Sequence, residues 1–148
     1  MSGQVSHSLV KALRAVPDFA GLDDHTLLRI VGASVNLFWR AGSTIFEAGS
    51  ESEALYIVLS GKVRVFEVVD GQEVEVSRVG PGNSFGELSL LLRRTHQRAA
   101  QGMEDTELLV VPASSFEELL GSNPDLDALF RRRLQERLPV QGDVSESA

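Results

Sequence analysis

The stretch Val63-Arg64-Val65-Phe66-Glu67-Val68-Val69-Asp70-Gly71-Gln72-Glu73-Val74-Glu75-Val76-Ser77-Arg78-Val79 holds two valine-rich, β-favouring runs, Val63–Val69 and Val74–Val79, around Asp70-Gly71. An aspartate–glycine pair between such runs is the strongest short-range signal for a hairpin with a type I′ turn, because both central residues of that turn need positive φ. Further short β-favouring runs lie on either side: Thr44–Phe46, Leu55–Leu59 and, later, Glu107–Val111 ended by Pro112. Gly42, Gly49, Gly61, Gly80 and Gly82 fall between or beside them, and Pro81-Gly82 marks another turn. Many short strands at this spacing, about eight, predict a sandwich, barrel or jelly roll, not a parallel sheet.

The β region is flanked by helical patterns. Leu9, Val10, Leu13 and Val16 recur at helical spacing until Pro17. Asp23 is placed to cap a second helix whose apolar face is Leu27, Leu28, Ile30 and Val31, after which Val35–Trp39 reads as extended. Beyond the strands, Ser114 or Ser115 is expected to cap a short helix through Phe116–Leu120 that Gly121 ends. Pro124 suits the first turn of a last helix, Asp125–Leu138, with Leu126, Phe130, Leu134 and Leu138 as one stripe. Pro139 should terminate it, leaving 139–148 as a polar tail without reason to order. The fold class is therefore α+β: a β jelly roll (a double-stranded β-helix, or cupin-like barrel) flanked by N-terminal helices and a C-terminal helix, in one domain over residues 9–138.

Composition narrows the chemistry. The 148 residues are 43% hydrophobic and 24% charged, with a net charge of −7, which suits one globular domain and disfavours a nucleic-acid backbone as partner. Cysteine is absent, which removes disulfides, thiol catalysis and zinc–thiolate sites. His7, His25 and His96 have no metal-ligand spacing, and no serine has a recognisable base and orienting partner, so neither a metal site nor a hydrolase is expected. No apolar run is long enough to span a membrane and the N-terminus does not read as a secretory signal; a cytoplasmic setting fits.

One segment carries chemistry: Gly82-Asn83-Ser84-Phe85-Gly86-Glu87-Leu88-Ser89-Leu90-Leu91, followed by Arg98-Ala99-Ala100. Glu87–Leu92 can form a single helical turn, and Gly86 lets an anionic group approach the backbone closely. Arg98 can supply a charge-assisted, bidentate contact to that anion. Glu87 cannot face an anion favourably, so its partner must be a neutral donor such as a hydroxyl. An anion, a nearby hydroxyl and an apolar remainder describe a sugar phosphate carrying a base.

On these residues the chain resembles the cyclic-nucleotide-binding family of catabolite-activator-type regulators, kinase regulatory subunits and nucleotide-gated channels. The family's phosphate-binding cassette matches Phe85-Gly86-Glu87-Leu88-Ser89-Leu90-Leu91, a spacer, and Arg98-Ala99-Ala100. Pro17–Leu22, Glu47-Ala48-Gly49, Leu55–Val63, Asp105–Pro112 and Asn123-Pro124-Asp125 extend the resemblance over roughly Leu9 to Leu138. It implies that Glu87 accepts a hydrogen bond from a ribose 2′-hydroxyl and that Arg98 pairs with the cyclic phosphate, helped by amides around Gly86, Leu88 and Ala99. It also implies Val65 and Ser77 near the base or sugar. Ala99 stands where a hydroxyl residue favours cGMP in eukaryotic members, which leans towards cAMP.

The expected function is thus a non-enzymatic sensor of cyclic nucleotide, signalling through the C-terminal helix. Its partners would be the nucleotide and a second copy or another protein at that helix, with no cofactor, nucleic acid or membrane. The alternatives are a degenerate member acting as a protein-interaction module, and the sensor half of a Crp/Fnr-type transcription regulator. The sequence departs from the family pattern in its long spacer Leu92–Gln97, in Gln97 where a proline often precedes the arginine, and in Gln101 after Ala100. The expected helix end at Pro139 falls where activator-type relatives continue into a dimer coil and cap the base. Arg93, Arg94 and His96 read as solvated spacer residues, Arg131–Arg133 as a solvent-facing cluster, and Phe38 and Trp39 as core or helix-to-sheet packing.

Overall fold

Hydrophobicity without alternation at Leu55–Leu59 has a direct structural cause: the strand is covered on both faces. In the computed structural model, which describes residues 2–137, β3 (Ala54–Ser60) lies between two apolar clusters. Leu55 and Ile57 face the helices, whereas Ala54, Tyr56 and Val58 face the interior of the roll. β8 (Thr106–Pro112) pairs with β3 and divides its side chains in the same way, Leu109 and Val111 outward and Leu108 inward. β1 (Val35–Trp39) and β6 (Ser84–Phe85) flank them, giving the sheet order β1-β8-β3-β6.

The second sheet contains β2 (Thr44–Phe46), β4 (Val63–Val69), β5 (Gln72–Val79) and β7 (Ala99–Gly102), in the order β2-β7-β4-β5. Asp70 and Gly71 both have positive φ, 53° and 79°, as the type I′ reading required. Val65 pairs with Ser77 but Phe66 with Glu75, so Val76 is an extra residue in a β-bulge. The hairpin extends past the core, leaving Val68, Val69, Val74 and Val76 exposed.

The helices close the outer face of the first sheet. α1 (Ser2–Arg14) leads through a short 3-10 turn, Pro17–Phe19, to α2 (Asp24–Ala33). Asp23 caps α2 by accepting the Thr26 N–H at 2.8 Å, and its carboxyl is held below the usual carboxylate range by the Thr26 hydroxyl first and by that backbone bond second. α4 (Ala113–Ser122) and α5 (Pro124–Arg137) follow β8. Phe130 of α5 is fully buried, edge-on to Phe116 at 5.2 Å and 6.4 Å from Phe19. Such pairs contribute about 0.5–1.5 kcal/mol beyond simple burial.

Several sequence expectations need correction. α4 starts directly after β8 with Pro112 at its cap position, so Ser114 and Ser115 lie inside the first turn and cap nothing. Gly121 does not end it; the helix runs to Ser122, and Asn123 closes it by donating to Leu119 O at 2.8 Å. Phe38 is 73% exposed, because edge strand β1 has no layer over that position, whereas Trp39 packs against the roll interior. Arg133 does not simply face solvent. It pairs with Asp18 through both terminal nitrogens and lies over the Phe130 ring, tying α5 to the 3-10 turn. The stripe residue Leu138, the end expected at Pro139 and the tail 139–148 lie outside the described residues.

Candidate ligand-binding site

The chemistry-bearing segment is built around α3 (Glu87–Leu92), which begins and ends at left-handed residues. Gly86 enters it at φ 89°, and a side chain there would come within 3.1 Å of the Tyr56 ring and 3.3 Å of the Ala54 carbonyl. Glycine is therefore demanded twice, by conformation and by space. Phe85 pairs with Tyr56 across β6 and β3, and their rings stack at 5.2 Å. Arg93 closes α3 at φ 54°, its N–H reaching Leu90 O while the Arg94 N–H reaches Ser89 O. Glu87 and Ser89 are buried on this turn, Glu87 only 3% exposed.

The spacer is solvated only in part: Arg93 is exposed, as the sequence suggested, and Arg94 is half-buried, but His96 is not solvated. His96 is 3% exposed and its ring lies flat on Phe46, with centroids 3.6 Å apart and planes within 4°. Its backbone is held as well: the His96 N–H donates to Ser50 O at 2.9 Å and the Gly49 N–H to His96 O at 2.7 Å. Burial pushes the imidazole below its ordinary pKa. Tyr56, in ring contact with Phe46 and Phe85, is pushed up by burial and then by the charge on Glu53.

Strand register sets the other site residues. Ala100 on β7 pairs with Val65 on β4, and Val65 with Ser77 on β5, so these three form one row across the second sheet. Residues directly opposite in a sheet share a face. Ala100 and Val65 pack into the roll interior, so that is the face the row presents. The pleat's alternation carries Arg98 and Glu67 to this face too, and Arg98 Nε lies 3.4 Å from Glu67 Oε2. Both are only partly buried, so the pair adds little stability and mainly sets where the guanidinium sits. The terminal nitrogens of Arg98 make no hydrogen bond among the described residues. Nε is thus anchored while the outer fork is available to a bidentate acceptor.

Of the sequence-predicted residues, Val65, Ser77, Ala99, Ala100 and Arg98 come together on or beside β4, β5 and β7, and Phe85, Gly86, Glu87, Leu88 and Ser89 on or beside α3. Ser77 sits at the exposed edge of its row, where it lines a cavity of about 290 Å³ with Asp18, Asn83 and Arg133. Ser89 lines a groove of about 410 Å³ with Ser52, Arg94 and Glu117, on the α4 side of the cassette. Gln101 bonds Arg64 Nε at 2.7 Å and Gly42 O at 2.9 Å. Glu67, His96, Phe46 and Tyr56 were missed. The alternation Val63, Val65, Glu67 was the one available signal for Glu67.

Among the described residues no cluster of metal-ligating side chains occurs, and no helix is long and apolar enough to cross a membrane. The family profile described as "Cyclic nucleotide-binding domain" matches residues 37–123. The cyclic AMP receptor protein of Thermus thermophilus is 36% identical over 129 residues, covering 84% of this chain and 60% of that protein. The chain therefore spans about three fifths of that relative's length. Among solved structures, the regulatory subunit of a cAMP-independent protein kinase A from Trypanosoma brucei superposes with a TM-score of 0.77 at 29% identity, covering 86% of this chain and 46% of that one. The sensor domain of the transcriptional regulator DNR from Pseudomonas aeruginosa gives 0.83 at 20% identity, covering 91% of each, a likeness of fold.

Proposed function

The chain belongs to the cyclic nucleotide-binding domain family, and on that premise we propose that it is a non-enzymatic, cytoplasmic cyclic-nucleotide sensor, selective for cAMP over cGMP, whose output is movement of α5. The observation that carries this reading is Arg98: its Nε is fixed by Glu67 on the inner face of the roll, while its fork makes no hydrogen bond among the described residues. A cyclic phosphate carries one negative charge and two exocyclic oxygens, to which that fork can donate both its hydrogen bonds. Glu87, buried at the start of α3, is assigned the ribose hydroxyl, and Val65 with Ala100 the apolar contact. The cAMP preference rests on Ala99, which brings no hydroxyl to meet a guanine amino group.

For output, α5 is the element best placed. Its buried Phe130 packs on Phe19 and Phe116, and Arg133 ties it to Asp18. A ligand moves α5 only by binding its two positions with different affinity. Thermal unfolding with each nucleotide tests the reading. A ligand at about a hundred times its dissociation constant adds roughly 2.7 kcal/mol of stability. Arg98→Ala should keep the fold and lose that increment. An unchanged melting temperature with millimolar cAMP and cGMP would sink the sensor reading and leave a protein-interaction module on the same fold.

A further inference from the structure

We propose that His96 is a positioning residue for Arg98, pinning the cassette only while uncharged, so that acid weakens anion binding at this site. The proposal rests on the sensor reading for its ligand but not for its mechanism. His96 lies two residues before Arg98, and three contacts fix it: the flat stack on Phe46 and the paired backbone bonds to Gly49 and Ser50. Phe46 itself belongs to β2, which pairs with β7 immediately beyond Arg98, Phe46 standing opposite Ala100. The stack and the sheet therefore hold the arginine's backbone from both sides.

The pin has one chemical weakness. His96 Nε2 is sealed from solvent and has no hydrogen-bond partner among the described residues. A second ring proton would put a cation in that place with no acceptor and no water. The face of Phe46 attracts a cation, but His96 is buried with Nε2 sealed from water, and burial is the cause that shifts this group, downward. The surrounding charges do not rescue it. Glu47 and Glu51, on the turn packed against it, are exposed; Tyr56, behind Phe46, is neutral in this range; Arg94 and Arg98 on its own segment carry the same sign as the imidazolium. The protonated ring is thus expected to leave the stack, and the Arg98 backbone loses its upstream restraint.

The sign follows from linkage. A histidine whose folded pKa is depressed binds its proton more readily when released, so the pinned state is favoured above the ordinary histidine pKa of about 6.5 and lost as pH falls below it. Calorimetric titration of wild type and His96→Phe with cAMP, at about pH 7.5 and about pH 5.5, reads this directly. Phenylalanine keeps the stack and cannot take a proton. Expected is a severalfold loss of wild-type affinity in acid, bounded by about tenfold per pH unit for one proton. The Phe variant should match wild type at the higher pH and hold that affinity at the lower one. Equal losses in both proteins would overturn the proposal, since every other titrating group, Glu87 included, is common to them. If wild type binds neither nucleotide at the higher pH, the sensor reading fails, and nitrogen NMR of the nucleotide-free protein decides the positioning role. The Arg98 Nε resonance should then move with the His96 titration in wild type and stay still in the Phe variant. An Arg98 signal indifferent to His96 overturns it.

Discussion

Replacing Gly86 by alanine separates the two demands placed on the entry to α3. At φ 89° a non-glycine residue costs about 1–2 kcal/mol from the clash of its Cβ with its own backbone. The added methyl also meets the Tyr56 ring at 3.1 Å and the Ala54 carbonyl at 3.3 Å. The ring cannot tilt freely, being stacked on Phe85 and in contact with Phe46, and the carbonyl belongs to a strand buried on both faces. Overpacking of this kind adds about 1–3 kcal/mol, so the total is about 2–5 kcal/mol. Gly82 supplies the control. Its φ is 84°, but nothing lies within 4 Å of the Cβ it lacks, so Gly82→Ala should cost only the backbone part, about 1–2 kcal/mol. Urea unfolding of both variants gives the difference, expected to be at least about 1 kcal/mol, or roughly 3–4 °C in melting temperature for a domain of this size. Equal losses would show that the approach to Tyr56 and Ala54 carries no weight, and the close-packed account of the cassette entry would fall.

Other perturbations have signs fixed by the structure. Asp18→Asn strips a mostly buried carboxylate from Arg133 and should destabilise the protein by about 1–3 kcal/mol, below the range for fully buried pairs because Arg133 is a third exposed; hydrogen exchange should rise in α5 before β3. Phe130→Ala empties the centre of the helical cluster and should cost about 3–5 kcal/mol, measured by chemical denaturation. Tyr56 is the only tyrosine, and ultraviolet titration should place its ionisation above 10.0. Because the unfolded chain gives up that proton first, stability holds below about pH 10 and falls above it, and Tyr56→Phe should flatten the fall.

What the sequence disclosed follows from range. The hairpin at Asp70-Gly71, the cap at Asp23, the single turn Glu87–Leu92 and the limits of Thr44–Phe46 are decided by residues within a few positions of each other, and each is where the local chemistry put it. The misreadings at Phe38 and Arg133 depend on something distant in sequence. Phe38 is apolar and β-favouring, but whether a layer covers it is set by how the sheets close. Arg133 sits in a basic run, and only the fold brings Asp18 against it. Ser114 and Ser115 suit a cap, yet β8 delivers the chain to α4 without an intervening turn, so neither occupies the cap position. The cassette was legible because glycine, glutamate and arginine were adjacent or nearly so; Glu67 was not, because a separation of thirty-one residues links it to Arg98 only through sheet register.

The long spacer shows the same principle acting on function. A proline directly before Arg98 would restrain its own φ and the residue preceding it, stiffening the approach to the arginine by covalent means. Gln97 supplies no such restraint. The restraint here is instead non-covalent: a left-handed turn at Arg93, the backbone bonds of His96 to Gly49 and Ser50, and a ring stack against β2. The two solutions differ in one physical respect. A proline's ring is indifferent to pH, whereas a stack made by an imidazole depends on that ring remaining neutral. A spacer that departs from the family pattern therefore acquires a different consequence once folded: Arg98 is still anchored, but by a contact that a single proton can undo.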